Sequence, residues 1–133
     1  YGRRAAGFSL FIQADSLVFD YNLAGRHTVV VSKSGLPTGR HVFGCALKVE
    51  GQSATLDLTV DGATVASAAL PQTFPAGFGV LPSQCGLNTP SPVSARYEAP
   101  FRFAGRLDRV EIDLGEVDTS AIAGLWSAAQ RTQ

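Results

Sequence analysis

The side chains best suited to catalysis are few. Cys45 and Cys85 are the only thiols, and His27 and His41 the only imidazoles. A nucleophilic serine or cysteine needs a base within hydrogen-bond reach and a third group to orient that base. The G-x-S-x-G elbow that exposes a serine in many hydrolases is absent. Zinc asks for thiols or imidazoles at short repeated spacings, and the chain has no C-x-x-C, no H-x-x-x-H and no histidine cluster. Glycoside hydrolysis asks for two carboxyl groups facing each other across a cleft. Glu111 and Asp113 stand two apart, so a strand would point both to one face, toward water. Calcium asks for several converging oxygens, and the loop from Gly86 to Glu98 offers Asn88 and Glu98 alone. The residue types therefore predict neither a catalytic centre nor a metal centre within this chain.

His27 begins a predicted strand and His41 leads into another, which makes each an edge or core-rim residue. Cys45 falls on the inward face of its strand and Cys85 in a long loop. Two unpaired thiols, at least one buried, are expected; a disulfide would need that loop to fold over the strand.

The elements that position these groups are strands. Phe8, Leu10 and Ile12 alternate with Ser9, Phe11 and Gln13; Leu17, Phe19 and Tyr21 alternate with Val18, Asp20 and Asn22; Val29 and Val31 continue the pattern from His27. Period two places alternate residues on opposite faces, so one side of each strand is expected to be buried. Leu36-Pro37-Thr38-Gly39 reads as a turn. The next strand spans His41 to Val49, with Phe43, Cys45, Leu47 and Val49 on its dry face. Leu56 to Val60, Asp61-Gly62 and Ala63 to Ala68 read as a hairpin, because Asp-Gly accepts the two positive φ values of a type I′ turn. Five of the seven prolines lie between Pro75 and Pro100, a stretch predicted as loop with one short strand near Phe78-Gly79-Val80. Val110, Ile112 and Leu114 alternate with charge and predict a last strand with one dry face. Residues 1–115 are thus expected to form an all-β domain of two antiparallel sheets packed face to face.

Residues 116–133 depart from that pattern and form a predicted helical tail. Asp118 or Thr119 caps it, and Ile122, Leu125, Trp126 and Ala129 recur at helical spacing. Ile122, Leu125 and Trp126 are the candidate interface residues: the stripe either packs back on its own sheets or docks on a partner.

At 133 residues and 14.0 kDa, the chain is one domain in size. Hydrophobic residues make up 45% and charged residues 17%, a globular balance. Eleven basic residues offset eleven acidic ones, and the arginines are scattered, so no field or stripe draws in nucleic acid. No stretch approaches the roughly 18 apolar residues of a membrane-spanning helix. A start at Tyr1-Gly2-Arg3-Arg4 without any Met reads as a piece of a longer protein. Arg3-Arg4 precedes alternating residues rather than an apolar signal core, so it reads as the lead-in to a strand; the compartment stays open, with a soluble, cytoplasmic protein favoured.

Several stretches together resemble a known architecture. Pro37-Thr38-Gly39-Arg40-His41-Val42, Leu58-Thr59-Val60-Asp61-Gly62-Ala63-Thr64-Val65-Ala66 and Phe103-Ala104-Gly105-Arg106-Leu107-Asp108-Arg109-Val110-Glu111-Ile112 look like the strands of a concanavalin-A-like, laminin-G-like jelly roll. With Phe8 to Ile12, Leu17 to Asn22, Pro92-Val93-Ser94, Tyr97 and Pro100 to Gly105, they resemble the C-terminal region that follows the catalytic domain in large bacterial arylsulfatases of the mycobacterial type. The similarity spans Tyr1 to about Leu114 and leaves the tail unmatched.

The resemblance implies a jelly-roll sandwich that serves a sulfuric-ester hydrolase without being one. The parent catalytic domain would use calcium and a formylglycine made within C/S-x-P-x-R. Cys45 is followed by Ala-Leu-Lys and Cys85 by Gly-Leu-Asn, so no catalytic residue transfers and no cofactor is expected here. The implied partners are that upstream domain and a second subunit. Lectins of the same superfamily suggest the alternative, a carbohydrate-binding module with Phe11, Tyr21 and Tyr97 as its stacking platform.

Overall fold

Three of the two-residue turns share one geometry. Ala14-Asp15 (φ 47° and 57°), Ala24-Gly25 (51° and 84°) and Asp61-Gly62 (50° and 81°) each place two successive residues in the left-handed region. That is the type I′ geometry whose twist matches a tight antiparallel hairpin. Asp61-Gly62 has the expected sequence. Ala14-Asp15 does not, and Asn22 helps the Ala24-Gly25 turn by accepting the Gly25 amide on Oδ1 at 2.8 Å.

The computed structural model describes residues 2–3, 6–33, 35–73, 83–89 and 91–115. These residues are all-β. The strands are β1 (Gly2–Arg3), β2 (Ala6–Gln13), β3 (Ser16–Leu23), β4 (Arg26–Val31), β5 (Phe43–Glu50), β6 (Ser53–Val60), β7 (Ala63–Leu70), β8 (Leu87–Asn88) and β9 (Phe101–Arg102). They form three small antiparallel sheets, ordered β1-β2-β3-β4, β5-β6-β7 and β8-β9. No helix among the described residues is long and apolar enough to cross a membrane.

The main core joins the first two sheets. Leu17, Phe19 and Tyr21 of β3 and Val30 of β4 pack with Ala54, Leu56, Leu58 and Leu70. Phe8 stacks on Phe19 with ring centroids 5.8 Å apart. Burying one leucine of this kind stabilises by about 1.5–3 kcal/mol, so these side chains fix the sheet pairing.

The opposite face of the first sheet is covered as well. Residues 91–101 cross it, and Phe11, Val18 and Tyr97 form a second cluster with Phe101 against its side. Tyr97 stacks on Phe101 at 4.4 Å and meets Phe11 edge-on at 5.0 Å. Gln13 Nε2 donates to the Arg96 carbonyl at 2.8 Å, and Asn22 Nδ2 donates to the Val93 carbonyl at 3.1 Å. Ser94 caps the turn by accepting the Arg96 amide at 3.1 Å.

Several expectations about dry faces are corrected. β3 is buried on both sides, Asp20 and Asn22 included, because a neighbouring strand flanks each edge and a layer covers each face. In β2 the buried side chain is Phe11, while Phe8 and Leu10 are partly open; in β4 it is Val30, while Val29 and Val31 are partly open. The inward face expected of β5 is open: Cys45, Leu47 and Val49 are exposed because β5 ends its sheet. Cys45 and Cys85 are both free and exposed, against the expectation of a buried thiol. Val110, Ile112 and Leu114 belong to no strand and are exposed, since no described strand pairs with that segment. The short strand expected near Phe78 and the helical tail of 116–133 lie outside the described residues.

Candidate functional site

Two places gather chemistry in this fold, a polar depression on the first sheet and an apolar margin on the second. The depression begins with Asp20, a carboxylate with no exposed surface in the middle of the most buried strand. Burying a charge is costly unless it is paired. His27, on the adjacent edge strand, supplies the pairing. Its Nδ1 lies 2.9 Å from Asp20 Oδ1 and 3.0 Å from Oδ2, so one N–H serves both oxygens. The carboxylate thereby fixes the ring and leaves Nε2 on the other side.

His27, Ser94, Tyr97 and Glu98 help line an open depression of about 440 Å³. Aspartate, histidine and serine are the residue types of a nucleophilic triad. Ser94 is 1% exposed and its hydroxyl accepts the Arg96 amide, so it presents no nucleophile to a substrate. What this arrangement offers is an oriented imidazole and a rim carboxylate, a recognition chemistry. Sequence reasoning missed the Asp20–His27 pair. The available signal was two polar residues, Asp20 and Asn22, two apart in an otherwise apolar strand.

The second histidine closes a different structure. His41 Nδ1 lies 2.7 Å from Asp61 Oδ2 and its Nε2 lies 3.1 Å from the Thr38 carbonyl. Asp61 Oδ1 accepts the Val42 amide at 2.8 Å, and the Asp61 amide donates to the Val42 carbonyl at 2.8 Å. Both ring nitrogens face acceptors, which the doubly protonated ring satisfies. The Asp61 carboxylate accordingly raises the His41 pKa above its ordinary value, with the Thr38 carbonyl adding to the effect. The Val42 amide, and then His41, hold Asp61 below its ordinary value. This clasp ties the lead-in of β5 to the β6–β7 turn and is structural.

The apolar margin is β5 with the segment that follows β9. Leu47, Val49 and Val42 are exposed on or beside β5. Leu107, Val110, Ile112 and Leu114 are exposed along the extended segment, with Ile112 at 69% and Leu114 at 81%. Water does not favour such a series of large aliphatic side chains on an isolated domain surface.

The residues predicted from sequence are distributed as follows. Phe11 and Tyr97 meet, but both are buried, and the Tyr97 hydroxyl accepts from Asn88 Nδ2 at 2.8 Å. Tyr21 is buried on the other face of the sheet, in the main core. Three buried rings divided between two faces do not make an open stacking platform. Ile122, Leu125 and Trp126 lie outside the described residues.

Neither group that the arylsulfatase resemblance attaches to a catalytic domain fits the residues present. Neither cysteine stands in C/S-x-P-x-R. Desolvation around the Cys45 sulfur raises its thiol pKa, which disfavours a reactive thiolate even though the residue as a whole is exposed. Among the described residues, no three His, Cys, Asp or Glu side chains converge as metal ligands. In comparisons with protein-family models, curated proteins and solved structures, the chain finds no match.

Proposed function

We propose that this chain is a non-catalytic accessory domain of the jelly-roll type, which packs against another polypeptide and shapes access to that partner's active site. The resemblance to the C-terminal region of bacterial arylsulfatases suggests the partner, a sulfatase catalytic domain bearing the calcium and formylglycine. The observation that supports the reading is the apolar margin, where Leu47, Val49, Val110, Ile112 and Leu114 are all exposed, Ile112 and Leu114 the most. Covering such surface on association yields about 25 cal/mol per Å² before the costs of ordering.

Mixing the 133-residue chain with a mycobacterial-type arylsulfatase catalytic domain that lacks its own C-terminal region tests this. A stable complex in size-exclusion chromatography, with aryl sulfate turnover confined to the catalytic domain, is expected. Sulfate release by the 133-residue chain alone, or no complex at tens of micromolar, overturns it.

The second reading, a carbohydrate-binding module, draws on the depression beside His27, where an oriented imidazole and Glu98 could meet sugar hydroxyls. Binding on a glycan array that is lost in His27→Ala and Glu98→Ala would favour it over the first.

A further inference from the structure

We propose that residues 109–114 of one copy add as an antiparallel strand to the outer edge of β5 in a second copy, making a reciprocal dimer. This rests on the accessory-domain reading and names one surface it uses.

The receiving edge is the backbone of β5. Its sheet runs β5-β6-β7, so among the described residues the far side of β5 pairs with no strand. An unpaired edge presents a row of amides and carbonyls to any extended peptide. Positions 45–50 are all exposed, and no described strand lies along that edge.

The donor has the alternation of a strand. Arg109 Nε lies 2.9 Å from Glu111 Oε1, which places residues 109 and 111 on one side of the segment. Val110, Ile112 and Leu114 then fall on the other, as a pleat requires. All three are exposed, and the segment belongs to no described sheet.

Register arithmetic selects the pairing. On β5, Cys45, Leu47 and Val49 face the way the core residues Leu58, Leu56 and Ala54 face, being directly opposite them in the ladder. Pairing Val110 with Val49, Ile112 with Leu47 and Leu114 with Cys45 extends that apolar face. The same antiparallel register sets Arg109 opposite Glu50 and Glu111 opposite Lys48, two opposite-charge pairs, with Asp113 opposite Ala46. Slipping by two residues in one direction sets Glu111 against Glu50; in the other it sets Arg109 against Lys48. A one-residue slip turns the apolar side chains to the wrong face. The free edge of β2 beside Ser9, Phe11 and Gln13 offers no charge to match.

The donor's own β5 is not paired with it, and in this register it is out of reach. Arg40 Nη2 lies 3.3 Å from Asp108 Oδ2, which anchors the start of the segment near the N-terminal end of its own β5. The chosen register requires Asp108 beyond the C-terminal end, opposite Gly51. At roughly 3.3 Å per residue along the strand, the two ends are about 25 Å apart. In a two-fold dimer the partner's β5 runs in the opposite direction, so its C-terminal end comes to the anchored start. Each copy then gives a strand and receives one, an isologous arrangement that closes on itself.

Sedimentation of the whole 133-residue chain, with far-UV circular dichroism to show that each variant is folded, tests the pairing. A dimer is expected for the natural chain. Glu111→Lys and Lys48→Glu should each weaken it about tenfold, because the lost pair occurs twice. The double variant Lys48→Glu with Glu111→Lys should recover the natural affinity. A monomeric natural chain, a dimer indifferent to both reversals, or a double variant no tighter than the single ones overturns the proposal. Complex formation with a sulfatase catalytic domain by a folded, monomeric Glu111→Lys chain would leave the accessory-domain reading standing when the dimer fails.

Discussion

β3 and β5 are strands of equal length with opposite fates. Each has eight residues, and each alternates large apolar side chains with smaller or polar ones. β3 has a strand on either edge, a second sheet over one face and residues 91–101 over the other, so even its aspartate and asparagine are buried. β5 has a strand on one edge, and its last six residues are exposed on both faces. Alternation alone states which residues share a face. Whether that face is dry depends on what the rest of the chain lays over it, and here the outcomes differ completely.

The largest expected effect sharpens this contrast. Leu56 and Leu47 sit directly opposite each other in the β5–β6 ladder, yet Leu56 is fully buried and Leu47 is 40% exposed. Leu56→Ala should cost about 2–5 kcal/mol in urea unfolding, the transfer of the lost methyl groups plus a cavity between the sheets. Leu47→Ala should cost under about 1 kcal/mol, measured where the chain is monomeric. Equal losses at the two positions would mean that the edge is covered in solution and the contrast is false.

The next effect concerns the polar interior of β3. His27→Ala removes the imidazole that pairs with the buried Asp20 carboxylate. A charge left buried without a partner should cost about 3 kcal/mol, less whatever water reaches it through the adjacent depression. Adding Asp20→Asn to His27→Ala should recover part of that loss, because a neutral amide is cheaper to bury. If His27→Ala is neutral, the pair is ornamental and β3 owes its burial to the leucines alone.

How much of this was legible in the sequence follows the same line. The strands from Phe8 to Val31, the Asp61-Gly62 hairpin and the all-β class follow from local signals, because period two and a positive-φ dipeptide are properties of a few adjacent residues. Which faces of β2, β4 and β5 are dry cannot be read locally, because it depends on what distant segments lay over them, as Tyr97 does over Phe11. The Ala14-Asp15 turn escaped for another reason: its residues tolerate positive φ only because the Ser16–Leu23 pairing enforces it. Val110 to Leu114 has the pattern of a strand without a described partner, and pairing is a property of two segments. The Asp20–His27 pair joins a strand centre to a strand edge, a contact that spacing along the chain does not announce.

The smallest expected effect separates the two strands by pH. β3 is held by burial, whereas the approach to β5 is held by the exposed clasp of His41, Asp61 and the Val42 amide. His41 is raised above its ordinary 6.5, so its contribution is complete below that value and fades as pH rises through the folded pKa. Asp61 is lowered below its ordinary 3.8, so its contribution is complete above that value and fades as pH falls through the folded pKa. The clasp should therefore stabilise most between those two ordinary values, near pH 5. Asp61→Asn is the clean probe, since Asn-Gly suits the type I′ turn and its amide oxygen can still accept the Val42 amide. The gap in melting temperature between the natural chain and Asp61→Asn should be widest near pH 5 and narrow toward both pH 3 and pH 8. A gap that stays constant across that range would show that the turn, and not the charge pair, holds β5 at its entry.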